Sequence, residues 1–186
     1  MPDDVLSRLL DVLGAFRLPL TRPGFANFLV IAVGWIQSYG VHAVTEALVV
    51  TGVAGKRHHE AFHRFFSRGT WDPDEMGRWL FERLERWTGT ESLRVALDDT
   101  LAPKKGPQVF GIGSHLDAVR STKSQLIFCF GHCWVTLAVL VTVPFSNRVW
   151  ALPVLFRLYR NKKECAKHEA VYRKKTELAR EMIDVL

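Results

Sequence analysis

Residues 95–106 read VALDDTLAPKKG and place two adjacent carboxylates, Asp98 and Asp99, at the end of a short apolar run. Leu93 to Leu97 reads as a strand, and burying a carboxylate is costly unless it is paired or coordinates a metal. Two chemistries fit the pair: a strand end emerging into solvent, or carboxylates that hold a cation. Side chains alternate along a strand, so Asp98 and Asp99 fall on opposite faces. Their adjacency sets aside a phosphatase built on two acids that flank one residue. Lys104 and Lys105 follow in a turn-rich segment, where they could contact phosphates or lie on a solvated turn.

A second group of chemistry-bearing residues precedes this stretch. His59 and His63 are four residues apart, which is metal-ligand spacing on a helix. No cysteine lies nearby to complete a zinc site, and Lys56, Arg57, His58 and Arg64 surround the pair. A basic helix facing DNA fits these types, and so does a solvated charged face. His132 and Cys133 are adjacent, but no partner pattern makes a nucleophile of the thiol. They read as a strand residue and a core thiol.

Composition bounds the rest. The chain has 186 residues, enough for one domain or two small ones with a true core. A net charge of +6 permits a nucleic-acid partner without requiring one. Three cysteines with no CxxC pair argue against a disulfide scaffold and for reduced core thiols. Asp3 and Asp4 stand where a secretory signal would carry positive charge, so no export signal is read and a cytoplasmic location is expected. Leu126–Phe145 is long and apolar enough to span a bilayer. It is nevertheless rich in Val, Thr, Phe and Trp, and a second apolar run returns after Pro144–Arg148. A strand, a turn and a returning strand explain that pattern, and no membrane partner is expected.

The elements that must carry these residues fall into two parts. Residues 1–90 read as helices: an apolar stripe through Val5, Leu9, Leu13 and Phe16, then Phe28–Ile36, Val44–Val50 and a basic helix over Lys56–Ser67. TWDPDEM marks another start, with Asp72 as cap, Pro73 in the first turn and Glu75 at capping-box spacing. Residues 91–186 change character. Leu93–Asp99 alternates as a strand, a loop runs from Ala102 to Ser124 with a short strand at Val109–Ile112, and Cys133–Val143 pairs with Arg148–Tyr159. Pro153 suits a sheet edge rather than a centre. A helix from about Lys167 then runs to Leu186. The fold class is therefore α+β, a helical segment followed by three strands and a helix.

ALDDT followed by KKG, then KSQLIFCFGHCWVTLAVLV, VWALPVLFRLYR and a basic helix, resembles the DDE transposases of bacterial insertion sequences. HRFFSRGTWDPDEM resembles the helical segment that precedes their ribonuclease-H-like catalytic domain. The resemblance runs from about Arg22 onward and rests on order and spacing rather than on one motif. It implies that residues 1–90 are a helical domain with a DNA-binding role, and that residues 91–186 are the first half of the catalytic domain. It makes Asp99 the first catalytic carboxylate, with Thr100 behind it and Asp98 as the neighbouring candidate metal ligand. It implies Mg²⁺ or Mn²⁺, because two ions about 4 Å apart clamp the attacking and leaving oxygens of a phosphoryl transfer. It implies DNA at element terminal repeats as substrate, a homodimer in the full-length form, and Lys56, Arg57, Arg64, Lys104 and Lys105 as phosphate contacts.

One further expectation follows from that resemblance. Only Asp99 of the three DDE carboxylates can be placed, since Glu177, Glu181 and Asp184 lie on the final helix rather than on a following strand. The chain alone is expected to be a truncated fragment, inert toward DNA cleavage. The competing reading is a non-catalytic DNA-binding protein using Val44–Ser67 in a helix-turn-helix manner.

Overall fold

Thr21 is followed by Arg22, Pro23 and Gly24, and its Oγ1 accepts a hydrogen bond from the Gly24 amide at 3.2 Å. That cap, with proline in the first turn, begins a helix two turns earlier than the apolar run at Phe28 announces. The computed structural model describes residues 2–89, 92–106, 108–143 and 145–186. They form two compact units, Met1–Trp79 and Leu80–Leu186.

The N-terminal unit contains α1 (Pro2–Gly14), α2 (Arg22–Gln37), α3 (Val44–Val50), α4 (Glu60–Arg68) and the first turns of α5 (Pro73–Thr88). Leu20, Ile31, Leu48, Phe62 and Phe65 form its core, with Phe25, Phe28, Trp35 and Trp71 packed against them. Gly34 lets α2 and α3 approach, since a Cβ there would lie 2.6 Å from the Ala47 Cβ. Asn27 is buried, donates to the Ala61 carbonyl at 3.1 Å and accepts from the Arg57 guanidinium at 2.8 Å. The expected helix over Lys56–Ser67 begins only at Glu60. Both Val53 and Ala54 donate to the Leu48 carbonyl, and Gly52 and Gly55 take φ values of 68° and 78°, so the chain turns before it coils again. The connection between α3 and α4 thus runs from Thr51 to His59. A helix-turn-helix uses a turn of about three or four residues.

α5 begins as its sequence dictates, with Asp72 Oδ1 accepting from the Asp74 amide at 2.8 Å, and it ends before Gly89 at φ 63°. The boundary expected at residues 90 and 91 lies outside the described residues, and the division between units falls within α5.

The C-terminal unit is a four-stranded antiparallel sheet with helices: β1 (Arg94–Pro103), β2 (Gly113–Leu116), β3 (Phe128–Thr142), β4 (Val149–Tyr159), α6 (Lys162–Lys167) and α7 (Lys175–Val185). β3 is its axis. One edge of β3 pairs with β1, and the other pairs first with β2 and then with β4. Gly131 is paired on both edges, opposite Pro103 of β1 on one side and Gly113 of β2 on the other. Cys133, Val135, Leu137, Val139 and Val141 are buried on alternate positions, the period-2 pattern of a strand with one face in a core. Leu178 and Met182 of α7 and Leu84 of α5 cover that face. On the other face Trp134, Thr136, Thr100, Pro153 and Phe156 line a shallow apolar depression.

The C-terminal unit adds three differences from the sequence expectation. A fourth strand, β2, forms at Gly113–Leu116 rather than at Val109–Ile112, because β3 begins at Phe128 and its first four residues pair with it. β4 skips a residue at Val154, where the register shifts between Leu137 and Ala138, and Pro153 sits beside this bulge on a strand with one partner. The final helix is two helices. Asn161 Oδ1 caps α6 at the Glu164 amide (2.9 Å), Glu169 at φ 50° ends it, and Glu177 Oε2 accepts from the Lys174 amide (2.7 Å) to start α7. The hairpin expected over 126–159 forms, although Pro144 of its turn lies outside the described residues. Among the described residues no helix is long and apolar enough to cross a membrane. All three cysteines are free and buried.

Candidate active site

β1 carries Asp99 opposite Val135, on the face that α7 covers. Asp99 Oδ2 accepts from Lys175 Nζ at 2.8 Å and from the Cys133 thiol at 3.4 Å. The Lys175 ammonium beside it holds the Asp99 carboxyl below its usual range, against the opposing effect of partial burial. Burial tends to lower the pKa of Lys175, but the hydrogen bond to Asp99 and the nearby charges raise it on balance. The pair is therefore ionised near neutrality.

A ring of polar side chains surrounds it. Lys175 lies 5.3 Å from the centre of the Tyr159 ring. The Tyr159 and Tyr172 hydroxyls are 3.3 Å apart, and burial pushes Tyr159 up to about 12. Cys133 is pushed up to about 11, mainly by burial, so its sulfur stays a thiol. His115, from β2, is buried against Tyr159 with ring centres 5.8 Å apart. Burial, and then the Lys175 charge, lower the His115 pKa, so its ring is neutral at pH 7. Among the described residues its Nε2 has no hydrogen-bond partner.

The remaining sequence candidates stand apart from this cluster. Asp98 is exposed on the opposite face, opposite Thr136, and its Oδ1 accepts from the Asp99 amide at 2.8 Å. Lys104 and Lys105 are exposed beyond the end of β1. At about 3.3 Å per residue, a strand carries Lys104 some 16 Å past Asp99. In the N-terminal unit Lys56 is exposed at the turn before α4. Arg57 is bound to Asn27 and lies over the Phe62 ring at 4.9 Å. Arg64 pairs with Glu60 at 2.9 Å, a contact between exposed groups worth little. His59 and His63 meet edge to face with ring centres 5.9 Å apart.

The family model for the DDE superfamily endonucleases matches residues 26–186. This chain belongs to that family. No curated protein and no solved structure matches it. Membership implies an endonuclease-type activity with DNA as substrate, and such nucleases generally use divalent metals. The residues of this DDE-superfamily chain do not fit a two-ion site. Among the described residues no group of three or more His, Cys, Asp or Glu is placed to hold a metal ion. Asp99 offers one carboxylate, and its nearest neighbours are an ammonium and a thiol.

Sequence reasoning left out Lys175, His115, Tyr159 and Tyr172. Lys175 stands 76 residues from Asp99 and belongs to a run of basic residues in which nothing local marks it out. His115 lies in the glycine-rich segment before β3, where its burial depends on the pairing of β2 with β3 and on the Tyr159 ring beside it.

Proposed function

We propose that this DDE-superfamily chain carries Asp99 as the first, metal-side carboxylate of a DNA strand-transfer nuclease of the insertion-sequence type. The observation that supports it best is the position of Asp99: it is the acid of the ALDDT stretch that turns to the helix-covered face, at a family-matched strand. Asp98 is the outward neighbour, held by the amide that follows it. Exposed Lys56, Arg64, Lys104 and Lys105 are proposed phosphate contacts, consistent with the net charge of +6. Arg57 has a lesser part because its guanidinium is engaged within the helical unit. Terminal repeats as substrate and a dimeric assembly rest on the resemblance, and a cytoplasmic place of work on Asp3 and Asp4 standing where an export signal would carry positive charge.

The same reading makes the chain inert by itself, a fragment of a complete active site. Phosphoryl transfer between two hard cations needs several oxygen ligands, and the described residues offer one carboxylate. Incubating the purified chain with duplex DNA and Mn²⁺ tests this. Intact DNA is expected, whereas nicking that disappears in Asp99→Ala would refute inertness. DNA retention should fall steeply as salt rises, and binding that ignores salt would count against the basic surface.

A further inference from the structure

Arg64 and Arg68 stand four residues apart on α4 and so share one face of that helix. They edge a cavity of about 310 Å³ within the N-terminal unit, whose walls also include Thr21, Asn27, Thr70 and Trp71. Trp71 is a fixed wall: its Nε1 donates to the Phe65 carbonyl at 2.8 Å, and its ring stacks on Phe65 with centres 5.4 Å apart. Gly69 permits that fold-back, because a Cβ there would lie 2.6 Å from Trp71 Cδ1. Asn27 is only 8% exposed, and its amide is oriented from two sides. Arg57 brings donors alone to Oδ1, and the Ala61 carbonyl can only accept from Nδ2. One Nδ2 hydrogen is used there, and the second has no partner among the described residues. Thr21 Oγ1 accepts from the Gly24 amide, which leaves its own hydrogen to donate. Arg68 has no acidic partner among the described residues. Arg64 is held only by its exposed bridge to Glu60, which a stronger anion can displace. The lining thus offers cations and hydrogen-bond donors and no carboxylate.

We propose that this cavity is an oxyanion site that takes one backbone phosphate of a bound DNA strand. Guanidinium forks match the paired oxygens of a phosphate, and the buried amide and the hydroxyls supply neutral donors for what the forks leave unmet. Both arginines are exposed, so a phosphate held between them keeps its ester oxygens toward solvent, where a strand can continue in both directions. A site for a free ion would enclose it instead. The inference rests on reading the exposed basic residues as phosphate contacts. It adds Arg68, and it makes the first unit grip DNA at a built cavity rather than through diffuse charge.

The test is titration of the full chain with a duplex oligonucleotide and, separately, with pyrophosphate. It is read from the indole N–H resonance of Trp71, assigned by its absence in Trp71→Phe. Both ligands should shift that resonance to saturation. Arg68→Ala should abolish the shift, weaken duplex binding about tenfold, the worth of a charge-assisted hydrogen bond, and lower the salt slope by about one. Arg68→Lys should restore the slope but not the affinity, because it returns the charge without the fork. Lys123→Ala removes an exposed charge from the other unit and should leave the Trp71 shift as in wild type. Arg68→Gln repeats the measurement if the alanine variant does not fold. Salt-sensitive DNA binding with Trp71 unmoved, and Arg68→Ala no weaker than Lys123→Ala, would overturn the cavity site and leave the basic surface standing. A shift with pyrophosphate but not with duplex would overturn DNA as the source of the phosphate. No DNA binding even at low salt would overturn both the site and the surface.

Discussion

Met182→Ala isolates what holds α7 on the sheet. Met182 is fully buried, and Val135, Leu137, Val139, Val154 and Leu155 of two paired strands belong to the same core. Strands tied into a ladder cannot collapse into the space left behind, so both the transfer term and the cavity term apply. Core methionine-to-alanine changes cost about 2–5 kcal/mol, and a fully enclosed site places this one near the middle, at about 3 kcal/mol. For a unit of this size the melting temperature should fall by roughly 12–24 °C. Hydrogen exchange followed by mass spectrometry is the better assay, because it reads the two units separately. Protection in β3 and α7 should fall about a hundredfold, the equivalent of that loss. Protection in α2 should stay as it was, since Ile31 and its neighbours belong to a different core. A loss under about 1 kcal/mol, or an equal loss in α2, would refute the packing argument.

Three further outcomes are expected. Asn27→Ala leaves the Ala61 carbonyl and the Arg57 guanidinium without their partner and should cost the N-terminal unit about 1–3 kcal/mol in denaturant unfolding; no change would show that water replaces the amide. Gly131→Val drives a side chain against the backbone of Ala102 and Pro103 and should cost about 1–3 kcal/mol, with amide protection lost first at the β1–β3–β2 junction. The third concerns pH: the folded-state pKa of His115 is lowered, so its contribution is complete above the unfolded value of about 6.5 and is lost as pH falls below it. Melting temperatures between pH 7.5 and 5 should show that decline in wild type and a flatter profile in His115→Gln, and parallel profiles would exclude the histidine as its source.

Local chemistry made much of this fold readable. Asp72 and Pro73 start α5 because capping and a fixed φ act within four residues, and the alternation of Cys133–Val141 marks a half-buried strand for the same reason. That Asp98 and Asp99 turn to opposite faces follows from strand geometry alone, whereas which of them faces the helix depends on the pairing of β1 with β3. What could not be read depends on partners distant in the chain. β2 is four residues, Gly113–Leu116, and exists because β3 extends back to Phe128 to meet it. The break between α6 and α7 comes from Glu169 in a left-handed conformation and from Glu177 reaching back to an amide, in a segment otherwise rich in helix formers. The charge balance of the site was hidden most deeply. A lysine among many lysines becomes the partner of Asp99 only through the packing of Leu178 and Met182, and sequence spacing carries no trace of that.

The arrangement around β3 also dictates an order of construction. Every ladder of the sheet uses this one strand, so β1, β2 and β4 have nothing to pair with until residues 128–142 have been synthesised. β1 leaves the ribosome well before that, with Val95 and Leu97 still 41% and 42% exposed even in the finished unit. The helices of the first unit need only one another, and contacts close in sequence close early. Asp99 waits longest, since its counter-charge is made 76 residues later. The carboxylate proposed to serve the chemistry of this family is thus among the first parts of the second unit to be translated, and among the last to acquire its surroundings.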